Sequence, residues 1–188
     1  MSGLETDVEP ILLPLLQGSR FVLLRKHRQT LANWLALKLI LTECIDPSDA
    51  VIAQSEREAF RLKKEIPQNM KIWIGTHDSP NWTAEYSHQT LLGNYGSSPT
   101  TAAERRGNLK NMQVTALGIG HVFALFYVSR IRGIQMKPHG RIRSLWPIRH
   151  GALVWPLPEL SGADCDKLAL SLREVLHAPF ARWLPYRG

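Results

Sequence analysis

Apolar residues fall at positions 4, 8, 11, 12, 15 and 16 of the opening stretch GLETDVEPILLPLLQG. Steps of three or four residues line one face of a helix, and Glu5, Asp7 and Glu9 sit in the early turns where the helix dipole favours acids. Gly18 supplies a stop. The next stretch, RKHRQTLANWLALKLILTEC, carries Leu31, Trp34, Leu35, Leu37, Leu39, Ile40 and Leu41. It is apolar on most sides, which predicts a central buried helix. Asp46–Pro47 has the form of an N-cap with proline at the first helical position. A third helix is therefore expected across SDAVIAQSEREAFRLKKE, ended by EIPQN.

The period then shortens to two. KIWIGTH predicts a strand with Ile72 and Ile74 on one face and Lys71, Trp73 and Gly75 on the other. The turn residues DSPN lead to a second strand over WTAEYSHQTLL. GNYGSSPTTAAERRGN is rich in small and polar residues and reads as a mobile loop ending in paired arginines. NMQVTALGIGHVFALFYVS holds two β-rich runs around Gly118 and Gly120, a hairpin or a single bulged strand. Two short extended pieces follow, each ending in Trp-Pro, and Ser161 with Asp164 forms a capping-box pattern opening a last helix over SGADCDKLALSLREVL. The tail HAPFARWLPYRG is aromatic and basic. The expected fold class is α+β: N-terminal helices on an antiparallel sheet of four or five strands, closed by a C-terminal helix. One domain spans 1–188, with a helical part at 1–66, sheet and basic loops at 67–158, and helix and tail at 159–188.

Composition adds bounds. A chain of 188 residues suits one domain and buries a sizeable core without disulfides or metals. Its apolar runs fall short of the roughly 20 residues a membrane span needs, and no secretory leader is recognisable. Two distant cysteines, Cys44 and Cys165, exclude four-cysteine zinc sites and fit a reduced, cytoplasmic setting.

Charge changes the picture most. The formal net charge is +7, and its distribution is uneven. Between Arg105 and Pro158 there is no Asp or Glu, while nine of the 23 basic residues lie there. The remaining 14 are slightly outnumbered by the 16 acids elsewhere. All the excess positive charge thus belongs to one segment, which points to an acidic partner and first of all to nucleic acid. Arg130 and Arg132, then Arg141 and Arg143, are spaced to project to one side of an extended chain. Guanidinium forks bind phosphate oxygens bidentately. The binding residues expected are these four with Arg105, Arg106, Lys137 and Arg149. A solvated edge guarding against strand association, or a protein-partner surface, would use the same residues differently.

Catalytic chemistry has weaker candidates. THDSPNWTAEYSH offers His77, Asp78, Glu85 and His88, and a hairpin could bring the histidines together as metal ligands. Asp78–Asn81 is equally ordinary turn chemistry. Gly118-x-Gly120 lacks the third glycine and following helix of a phosphate cradle. No serine stands in a nucleophile elbow, and Cys44 lies within an apolar helix. Trp73 and Trp82 could stack on bases or pack in a sheet. No cofactor is expected.

Several stretches together, namely MSGLE, QTLANWLALKLIL, KIWIG with Trp82, Tyr86 and His88 after it, QVTALGIGHVF and the paired Trp-Pro dipeptides, resemble the C-terminal region of some bacterial and phage HNH-type endonuclease proteins. There a Cys-Asn-x-Gly-Trp-Met-Ser-x-Leu-Glu stretch follows the nuclease motif, and Met1, Ser2, Leu4 and Glu5 match its tail. The match runs over nearly the whole chain, mainly at apolar and aromatic positions. The resemblance implies that the ββα-metal module would lie upstream of Met1, leaving a companion domain without its catalytic head. The function expected is non-catalytic binding of nucleic-acid backbone, DNA foremost, with no membrane partner. The alternative is a module that docks a separate nuclease subunit or a second copy, and a weaker one is a small metal-dependent hydrolase centred on His77 and His88.

Overall fold

A computed structural model describes residues 2–45, 47–91, 110–131, 136–138, 140–149 and 151–171. The opening helical periodicity forms α1 (Ser2–Leu16), stopped at Gly18 with φ +67°. A short strand β1 (Phe21–Leu23) leads into α2 (Arg25–Glu43), whose residues Leu31, Leu35, Leu39 and Ile40 are buried. Trp34 is buried as well, its indole N–H donating to Glu5 of α1 at 2.8 Å.

The third helix is shorter than its sequence suggests. Pro47–Asp49 makes one 3₁₀ turn, and α3 spans Gln54–Lys63. Burial explains the difference. Val51 and Ile52 are drawn into the core, and their N–H groups donate to the Glu43 carboxylate at 3.2 Å each. Glu43 also accepts from Arg57 Nη2 at 2.7 Å. This ion pair, with no accessible surface on the Glu43 side chain, fixes the end of α2 against α3. Desolvation pushes the Glu43 carboxyl above the ordinary range, partly offset by the Val51 N–H and the Arg57 charge.

The main sheet is built from β2 (Met70–His77), β3 (Ala84–Leu91), β4 (Met112–Ile119), β5 (Val122–Ser129) and β6 (Arg143–Trp146). Their order is β3-β4-β5-β2-β6, all neighbours antiparallel. β7 (Leu153–Trp155) pairs with β1 in a separate ribbon, and β8 (Glu159–Leu160) adds to β2 in parallel beyond β6. The sheet thus has six strands, one more than expected. Ser161 and Asp164 cap each other reciprocally to open α4 (Gly162–Ala169). The fold is α+β.

Alternation along the strands divides the core in two. Ile72, Ile74, Phe126, Val128 and Leu145 join α1 and α2 on one face. Trp73, Leu125, Tyr127 and Val114 join Leu160, Cys165 and Leu168 of the last turn and helix on the other. β4 and β5 meet in a two-residue hairpin in which Gly120 alone has positive φ, +54°. Gly118 is required by close approach: a Cβ there would lie 1.8 Å from the Trp82 carbonyl oxygen. No helix among the described residues is long and apolar enough to cross a membrane.

Glu43→Ala is expected to destabilise the fold by about 3 kcal/mol in urea unfolding, since it strands Arg57 and two buried N–H groups. A loss below about 1 kcal/mol would mean that water replaces the carboxylate.

Candidate nucleic-acid interface

β2 carries Lys71 and Trp73 on the face turned away from α1 and α2, and β6 runs beside it as the edge strand. The pairing contains a bulge: Ile72 faces Trp146 while Trp73 faces Ser144. Leu145 between them stays in the helix-side core, and Trp146, half-buried at the sheet edge, packs in part against that same core while also lining the cleft. Bulges at edges re-aim side chains in this way. The segment 136–138 and the stretch after β6 complete a cleft of about 240 Å³.

Three cations line it: Lys71 from β2, Lys137, and Arg149 from beyond β6. Trp73 and Trp146 supply aromatic surface, with Pro138 and Pro147 at the walls. Among the described residues no acidic side chain lines the cleft. Burial, and then the Arg149 and Lys137 charges, pull the Lys71 ammonium below its ordinary value. Like charges held together in this way repel one another, and an anion between them would relieve that repulsion.

The expected arginines fare differently. Lys137 and Arg149 reach the cleft. Arg130 is exposed at the end of β5, where its N–H donates to the Asn111 carbonyl at 2.8 Å. Arg141 is turned to the β8 side, donating to the Glu159 carbonyl. Arg143, exposed on β6, donates to the carbonyl of Ile142 at 3.1 Å. Arg105, Arg106 and Arg132 lie outside the described residues, as do most of the small-residue loop before Lys110 and the aromatic tail. The described part of the strip therefore does not converge as a single row of guanidiniums. Lys137 and Arg149 contribute to the cleft, while Arg141 and Arg143 donate to backbone carbonyls. Lys71 is the residue missing from the expected set. Its signal was the Lys71–Trp73 alternation, a cation and an indole two residues apart on one strand face.

The histidine candidates separate. β3 pairs with β4 and not with β2, so three strand spacings of roughly 4.8 Å lie between the strands of His77 and His88. His88 Nδ1 lies 2.7 Å from the Thr115 hydroxyl, and Asp78 is exposed. Among the described residues, no group of three or more His, Cys, Asp or Glu side chains is placed to hold a metal ion. Trp82 packs edge-on against Phe123 and donates to Asp166 at 2.9 Å, a structural use of its indole. Burial, with Asp166 and other nearby acids, pushes the Cys165 thiol up to about 12, which leaves it unreactive near neutrality.

His77 is fully buried at the end of β2. Its backbone is held by His121, whose ring Nδ1 donates to the His77 carbonyl at 3.0 Å. The His77 ring nitrogens approach the Ser79 and Val122 backbone without a hydrogen bond of good geometry. Burial foremost, then His121, holds this imidazole below its ordinary value, so the native state keeps it neutral. The unfolded chain takes up a proton as pH falls through about 6.5, and the native chain does so only lower. Stability is therefore fully present above that pH and declines below it. His77→Gln should flatten the fall in unfolding free energy between pH 7.5 and 5.5, by no more than the roughly 1.4 kcal/mol per pH unit that one proton allows. Identical pH profiles for the two proteins would contradict the assignment.

Comparison of the chain with protein-family models, curated proteins and solved structures finds no match.

Proposed function

We propose that this chain is a non-catalytic domain that binds nucleic-acid backbone, with DNA the expected form. It would act in a cytoplasmic setting as a companion of an HNH-type nuclease. The observation that supports the reading is the convergence of Lys71, Lys137 and Arg149 on one cleft that has no acid among its described lining residues. Ammonium and guanidinium groups gathered this way suit phosphate oxygens and supply affinity without reading sequence. Lys137 and Arg149 come from the Arg105–Pro158 segment, which has no Asp or Glu and carries the chain's excess positive charge.

A second reading, a module that docks a separate protein or its own copy, is favoured by one observation. An apolar groove of about 360 Å³ runs between α2 and β3–β4, with Leu41, Tyr86 and the strongly exposed Ile45 at its sides. Solvent-exposed side chains of this size on one patch suit a partner surface.

The two readings are separated by salt. Binding to a DNA oligonucleotide, measured by fluorescence anisotropy from about 50 to 200 mM salt, should fall steeply, with a log–log slope near −0.7 to −0.9 for each phosphate contacted. The double variant Lys137→Glu with Arg149→Glu should lose at least about tenfold in affinity and flatten the slope by roughly two phosphates' worth. Reversing Arg141 and Arg143, whose guanidiniums already serve carbonyls, should matter less. Affinity unchanged by the cleft variant, or binding indifferent to salt, would overturn the reading in favour of a protein partner.

A further inference from the structure

The composition of the cleft is more specific than a basic patch requires. Duplex DNA offers a protein its phosphates and groove edges, while the flat faces of its bases are hidden by stacking. A surface built for that partner needs cations at phosphate spacing and gains nothing from indoles set among them. Here Trp73 and Trp146 line the same recess as Lys71, Lys137 and Arg149, with proline rings beside them. The recess is concave and, at about 240 Å³, lies just under the roughly 300–1,000 Å³ of small-molecule sites. Its size suits one planar group with its attached phosphate and excludes a double helix.

We propose that the cleft takes a single unpaired nucleotide of a nucleic-acid strand, its phosphate held by Lys71, Lys137 and Arg149 and its base against the Trp146 indole. This rests on the nucleic-acid reading and narrows it to single strands, unpaired ends or flaps. Stacking on an aromatic face tolerates any base, so the preference is for strandedness and not for sequence. Trp146 suits the role better than Trp73, because on the edge strand it keeps part of its surface accessible beside its contact with the helix-side core, while Trp73 is buried. Ser144 and Lys71 also line the recess and offer a ribose hydroxyl or a second phosphate oxygen a polar partner.

The test compares a short mixed-sequence single strand, the duplex of the same sequence, and an abasic strand with the same backbone, all at one salt concentration. The single strand should bind roughly tenfold tighter than the duplex and the abasic strand. Trp146→Leu should bring single-strand affinity down to that of the abasic strand, and Trp146→Phe should keep most of the preference. The abasic comparison uses the unaltered protein, so it decides the matter even if a Trp146 variant folds poorly. Equal binding of all three ligands would overturn the unpaired-nucleotide proposal and leave the backbone-binding reading standing. A free mononucleotide that binds as tightly as the strand would also overturn it, marking a pocket for small ligands. Failure of every nucleic acid to bind would overturn both readings.

Discussion

Arg28 lies within the helix layer with almost no exposed surface, and its guanidinium donates to the carbonyls of Ser144 and Gly151 at 2.7 Å each. Those two carbonyls bracket the stretch that carries Trp146 and Arg149. A charged donor bonded to neutral carbonyls makes stronger hydrogen bonds than an amide would, and removing it would take this tie from both carbonyls. A short edge strand has one side unpaired and little to hold it flat. Here the helix layer supplies the missing constraint, so one wall of the cleft is fastened from behind by α2. Its other wall is β2, held between β5 and β6. β2 and β6 are both anchored in the helix-side core, β2 by Ile72 and Ile74 and β6 by Leu145.

Rigidity matters because the three cations repel one another. Flexible lysines and arginines on open surface would spread into solvent and dilute their field. Lys71 is fixed to a central strand, and its lowered proton affinity is the local expression of burial combined with neighbouring positive charge. A phosphate entering the recess would relieve that repulsion and replace lost hydration at once. Among the described residues that line the recess the ionisable groups are Lys71, Lys137 and Arg149, and His77 is buried at the end of β2, away from it, with a neutral ring.

What could be read from the residues followed from periodicity. α2 announced itself through apolar residues on most sides, β2 through the Ile72–Ile74 alternation, and the β4–β5 hairpin through Gly118 and Gly120. The last helix was legible in the Ser161–Asp164 pair. What escaped depended on partners distant in the chain. Val51 and Ile52 look like helix residues until Glu43 claims their N–H groups. β3 follows β2 in sequence, yet it pairs with β4, and that placement draws His88 away from His77. Lys71 was legible only as sharing a strand face with Trp73 and Gly75, and it is the arrival of Lys137 and Arg149 from 66 and 78 residues later that makes it one side of a cationic cleft. Local spacing finds elements; convergence of charges from separate segments needs the fold.

The most direct measurement is photo-crosslinking of a single strand carrying 5-iodouracil, followed by mass-spectrometric location of the adducts. The account predicts adducts on peptides holding Trp73 and Trp146, on the two sides of the cationic recess. Adducts confined to the apolar groove beside α2, with none on either cleft peptide, would contradict it.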